Sequence, residues 1–146
     1  MAADTSNREI ISTRIINHPQ EKVFNAWTNP DQLKNWWGPN GFTNTFHQFS
    51  ATPGGQWNYT MHGPDVHNYE NESVFEEINA PEQVVIYHTS KPEFHLIGTF
   101  EAVDDQHTKI TFHQIFNEAS VYEAVKHICI PANEENLDRL EKVLEG

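Results

Sequence analysis

From Phe42 to Phe116 apolar and polar residues alternate with a period of two, the signature of extended strands whose successive side chains face opposite ways. Turn-forming clusters interrupt the alternation at Pro53-Gly54-Gly55, Gly63-Pro64-Asp65, Asn79-Ala80-Pro81-Glu82, Ser90-Lys91-Pro92 and Asp104-Asp105-Gln106, so the pattern predicts six strands in a meander. An earlier strand is predicted over Arg8 to Ile16, which is rich in Ile and Thr. Two short helices follow it. Pro19 opens the first, with Val23, Phe24 and Trp27 on one face; Asn29 caps the second, which carries Leu33, Trp36 and Trp37 until Gly38-Pro39 stops it.

After Phe116 the period becomes helical. Ser120 and Glu123 have the spacing of a capping box, and Val121, Val125, Ile128, Leu137, Leu140 and Leu144 form an apolar face. Pro131 is expected to kink or interrupt this long helix, with a restart near Asn133. With strands contiguous and helices segregated, the class is α+β: a curved seven-stranded antiparallel sheet wrapped around a long C-terminal helix, with two short helices after the first strand. Residues 8–146 read as one domain, and Met1 to Asn7 as a frayed or disordered end.

Taking the more apolar set of each strand as inward gives Trp57, Tyr59 and Met61; Val84, Ile86 and His88; Leu96, Gly98 and Phe100; and Ile110, Phe112, Gln114 and Phe116. Phe75 is assigned inward on a weaker pattern, and Trp36, Trp37 and Phe42 are expected to close one end. Trp36, Trp37, Phe42, Trp57, Tyr59, Met61, Phe75, His88, Phe100, Phe112 and Gln114 are therefore the candidate lining of a small-molecule cavity. An aromatic stripe at strand spacing is also what a plain core looks like. The cavity is expected because a strongly curved sheet encloses more than one helix fills, and because Gly98 removes a side chain from the concave face.

Charge and chemistry narrow the functions. A net charge of −12, from nine Lys and Arg against twenty-one Asp and Glu, repels polyphosphates and anionic lipid, so nucleic acid and membrane are not expected partners. Met1 to Arg8 lacks a secretory signal and no run approaches eighteen apolar residues, which points to the cytoplasm. The single Cys129, in an apolar run, makes a poor nucleophile.

Among nine histidines, His88 alone combines an inward phase with the possibility of proton transfer, with Tyr59 and Gln114 as hydrogen-bonding neighbours. His62, His67 and Glu70 could clip a metal only adventitiously, and no metal site or cofactor is implied. The acids of the last helix, Glu134, Glu135, Asp138, Glu141 and Glu145, read as a solvated face.

Asp31-Gln32-Leu33-Lys34-Asn35-Trp36-Trp37-Gly38-Pro39, Gly41-Phe42-Thr43, Pro53-Gly54-Gly55-Gln56-Trp57, Met61-His62-Gly63-Pro64-Asp65 and the run from Asn133 to Glu141 together resemble the AHSA-type proteins. These are homologues of the activator of the heat-shock ATPase, within the START-like, polyketide-cyclase-like superfamily also called SRPBCC. The resemblance spans Arg8 to Leu144 and implies a helix-grip fold. Val66 stands where the family's turn often continues with Gly, so that hairpin is expected to be built differently. Eukaryotic activators carry an additional domain with no counterpart in this sequence, which counts against a chaperone ATPase as partner. The reading that follows is binding of a small hydrophobic or aromatic molecule between sheet and helix. The alternative is a cyclase, dehydratase or hydrolase using the same cavity. A homodimer is compatible with so small a domain, though no interface pattern marks it.

Overall fold

The computed structural model describes residues 5–145. Of the expected frayed end, residues 1–4 lie outside the described residues, whereas 5–7 form a turn closed by the Arg8 N–H on the Thr5 carbonyl at 2.9 Å. The chain runs β1 (Glu9–Ile16), α1 (Gln20–Thr28), α2 (Pro30–Trp36), β2 (Thr43–Phe49), β3 (Gln56–His62), β4 (Asn68–Asn79), β5 (Gln83–His88), β6 (Phe94–Asp104), β7 (His107–Phe116) and α3 (Ala119–Glu145). All seven strands share one antiparallel sheet in the order β1-β7-β6-β5-β4-β3-β2. The order follows from local chemistry: hairpin turns pair each strand from β2 to β7 with the next, and β1 closes on β7.

Register confirms the inward phase. Val84, Gly98 and Phe112 lie side by side across three strands, as do Ile86, Leu96 and Gln114, and His88, Phe94 and Phe116. A bulge after Phe75 resets the β4 phase, so that both Phe75 and Ile78 reach the core. Asn29 caps α2 through its side chain, which accepts the Asp31 N–H at 2.9 Å.

Three local expectations are corrected. Helix α3 runs unbroken from Ala119 to Glu145 with Pro131 inside it. The half of the helix before Asn133 contains no fully buried residue, so little packing opposes the local adjustment a proline requires. Ser120 lies within the helix rather than capping it, and Glu123 pairs with Lys126 one turn on at 2.8 Å. Ile128 is 60% exposed: the apolar face that Leu137, Leu140 and Leu144 bury does not extend to the first half of the helix. At Val66 the turn takes the left-handed conformation that favours glycine, φ 62°, with a side chain unsuited to it.

Two arginines tie α3 down. Arg14 on β1 bonds Glu134, Asp138 and Glu141 at 3.0, 2.7 and 2.8 Å, so three of the acids expected to be merely solvated converge on one guanidinium. Arg139 donates to the backbone carbonyls of Asn35, Trp37, Gly38, Pro39 and Phe42 between 2.7 and 3.2 Å. That bond set clamps the segment leaving α2 against α3.

Candidate ligand pocket

Most of the space under the sheet is filled by the protein's own rings. Trp27 of α1 lies 5.2 Å from Trp36, 5.4 Å from Phe100 and 5.7 Å from Phe112, ring centre to ring centre. Its indole occupies the room left by Gly98, where an added Cβ would meet the ring at 2.9 Å. Gly98 thus admits a tryptophan rather than a ligand. A second cluster stacks Trp57 between Tyr59 and Phe75, at 4.4 and 5.9 Å, with Phe46 and Phe49 packed alongside.

One pocket of about 200 Å³ remains, between the β3–β7 face and the middle of α3. The small side chains of Cys129 and Ala132 line it from α3, where larger ones would narrow it. Of the predicted lining, Trp37, Tyr59, Met61, His88, Phe112 and Gln114 border this space. Trp36, Trp57, Phe75 and Phe100 are fully buried in the two aromatic clusters instead. Phe42 sits away from the pocket, half-buried against Tyr69 with ring centres 6.1 Å apart.

Sequence reasoning missed Asn71, Phe94, Asn133 and Asn136, all of which line the pocket. The signal for the last two was present: in a helix, Asn133 and Asn136 share a face with Leu137 and Leu140, so they point inward with them.

The polar groups of the pocket are held by one another. The Trp37 indole N–H donates to the Tyr59 hydroxyl at 3.1 Å, and burial pushes the phenol pKa up, keeping it protonated. Asn133 donates its amide to Gln114 at 3.0 Å. His88 does not bond Tyr59 or Gln114. Its Nδ1 lies 2.9 Å from the Pro92 carbonyl, its Nε2 lies 2.7 Å from the Asn71 side-chain oxygen, and its ring stacks on Phe94 at 4.5 Å. A carbonyl can only accept, so Nδ1 carries a proton. The Asn71 oxygen, its amide held by the Tyr69 carbonyl at 2.9 Å, suits the charged ring, and the Ser90 hydroxyl, 3.4 Å from Nε2, can donate to the neutral one.

Burial lowers the His88 pKa, opposed by bonds to the backbone of Pro92 and Ser90. Burial also raises that of the Cys129 thiol, which leaves it un-ionised and weakly nucleophilic.

Elsewhere, His62 bonds Thr45 and Asn68, His67 bonds Asp65, and Glu70 accepts from Thr60. Among the described residues no three His, Cys, Asp or Glu side chains converge as a metal site would require. Nor is any helix among them long and apolar enough to cross a membrane.

Solved structures share this architecture over nearly the whole chain. A protein from Nitrosomonas europaea superposes with a TM-score of 0.87 at 16% identity, covering 99% of this chain and 98% of its own. One from Arthrobacter aurescens gives 0.88 at 21%, covering 99% and 90%. One from Staphylococcus epidermidis gives 0.82 at 25%, covering 99% and 94%. No curated protein matches the sequence significantly. The family described as activator of Hsp90 ATPase homolog 1-like protein matches residues 17–145, which include every pocket residue and both short helices, and the chain belongs to that family.

Proposed function

We propose that this protein binds a small hydrophobic or aromatic molecule in the pocket between the sheet and α3. One observation carries the reading: about 200 Å³ stays unfilled in an interior otherwise packed with rings, bordered by Trp37, Phe94, Leu96 and Phe112 and only a few polar groups. Natural interiors close such gaps, and a dry apolar cavity of ~150 Å³ suffices to bind benzene. The volume therefore suits one or two fused rings better than long lipids or polycyclic skeletons.

The cyclase, dehydratase or hydrolase reading needs a ring nitrogen of His88 free to exchange a proton with a substrate, and both nitrogens are engaged by the protein. A chaperone-ATPase partner draws on the family's name alone. The cytoplasm remains the setting we propose, in keeping with a single unpaired cysteine.

The test is thermal unfolding combined with amide chemical-shift mapping against one-ring and two-ring aromatics, fatty acids and polycyclic compounds. The small aromatics should raise the melting temperature and shift residues on β5, β6 and mid-α3, while the larger compounds leave both unchanged. If no small aromatic does either, the pocket is not a binding site.

A further inference from the structure

On the footing that the pocket is a binding site, its occupant has to meet the polar groups that open into it. Gln114 of β7 and Asn133 of α3 both border the pocket, and one hydrogen bond joins them, from the Asn133 amide nitrogen to the Gln114 oxygen at 3.0 Å. Gln114 is only 7% exposed, yet its own amide nitrogen donates to no group among the described residues. The side-chain atoms there that are both sealed from water and unpartnered belong to Trp27, Gln32, Asn44, Trp57 and Asn136. The Gln114 nitrogen, unpartnered and not one of these, is therefore open, and it carries two N–H bonds. Exchanging the two ends of both amides would pass the spare N–H to Asn133 and leave one free either way. Asn136, one turn further along α3, repeats the arrangement: its oxygen is the sealed end, and its nitrogen, also without a partner among the described residues, is the open one.

Water entering the pocket can hydrate an open N–H, but a ligand that fills about 200 Å³ displaces that water, and only the ligand can then take the bond. A ligand without an acceptor would leave the donor bare and its lost hydration unreplaced. The other donors around the pocket are engaged: the Trp37 N–H on Tyr59, and both ring nitrogens of His88 on Pro92 and Asn71. We infer that the pocket selects small aromatic molecules carrying a hydrogen-bond acceptor, a ring carbonyl foremost. Gln114 donates to that oxygen, Asn133 holds the Gln114 amide in place, and Phe94, Leu96 and Phe112 bury the ring.

Indane and indanone have nearly the same shape and differ by one carbonyl oxygen. Titration calorimetry on the whole protein should show indanone bound at least about tenfold more tightly, once the difference in their transfer from water to cyclohexane is subtracted. The infrared carbonyl stretch of bound indanone should lie below its frequency in cyclohexane, as it does when a carbonyl accepts a hydrogen bond. Gln114→Met alone would release the Asn133 N–H to take the vacated role, so the variant to compare is Gln114→Met with Asn133→Leu. There the preference should shrink severalfold and the stretch move back toward its cyclohexane value, while indane affinity holds or improves.

Equal corrected affinities, or a stretch unchanged from cyclohexane, would sink the acceptor inference and leave the binding site standing. A preference undiminished in the double variant would take the donor's part away from Gln114. Failure of both probes to bind would remove the site itself. Should the double variant not fold, the side-chain amide signals of the natural protein decide by NMR: those of Gln114 move with indanone and stay with indane, or the inference is wrong.

Discussion

The indole of Trp27 lies against the backbone of Gly98, so close that a methyl group on that glycine would meet the ring at 2.9 Å. Trp36, Phe100 and Phe112 surround the same indole, and Trp27 is wholly buried, so the ring has no direction in which to retreat. Gly98→Ala should therefore destabilise the fold by about 1–3 kcal/mol, the usual range for overpacking a tight core. Urea denaturation measures it. An unchanged midpoint would mean that the docking of α1 on the sheet is looser than this contact requires.

The clamp made by Arg139 predicts a larger loss. Arg139→Met keeps much of the apolar stem and removes five hydrogen bonds to backbone carbonyls of the segment that borders the pocket at Trp37, Gly38 and Pro39. A cost of roughly 2–3 kcal/mol is expected, with weaker aromatic binding as that wall loosens. Arg139→Lys should recover only part of the stability, since one ammonium cannot span the carbonyls that the planar guanidinium reaches. Full recovery by lysine would show that charge, not geometry, holds the segment.

Val66 predicts a gain. Its φ of 62° suits a glycine, and its side chain is 91% exposed, so little packing is lost on removing it. Relief of the left-handed strain, less the added freedom of the unfolded chain, should make Val66→Gly more stable by about 0.5–1 kcal/mol. A fall in melting temperature would contradict the strain.

Filling the pocket separates packing from binding. Ala132→Leu directs three further carbon atoms from α3 toward about 200 Å³ of free space. Such a change should raise stability by roughly 0.5–2 kcal/mol and abolish the response to small aromatics. Retained binding would place the ligand elsewhere.

The lowered pKa of His88 fixes a pH dependence. Burial drives the shift down from 6.5, so between the folded pKa and 6.5 the unfolded chain binds more protons than the folded one. Stability therefore rises with pH through the window just below 6.5 and is lost on acidification. The stability difference between the natural protein and His88→Gln should grow from about pH 5 to about pH 7, other histidines cancelling in the comparison. A difference independent of pH would show that the ring has the same affinity for protons folded and unfolded.

How much of this was legible beforehand follows from the range of each interaction. The seven strands, the two short helices and the inward phase of Trp57, Tyr59, Ile86, His88, Leu96 and Phe112 could be read from the chain, because period-two alternation and turn residues act over a few positions. The role of Gly98 could not: whether its missing side chain admits a ligand or Trp27 depends on where a helix some seventy positions earlier comes to rest. The partners of His88 likewise depend on register, which sets Asn71 of β4 beside it, and on the path of the loop through Pro92. Asn133 and Asn136 share the helix face of Leu137 and Leu140, so their inward direction was legible, but that they border a hollow rather than pack in the core depended on how the sheet closes over them. Sequence by itself determined the elements and which face of each is apolar, since those rest on local backbone preferences and side-chain spacing. Only the tertiary structure decided which part of the interior is filled and which is hollow, since a void is what remains after distant side chains have packed.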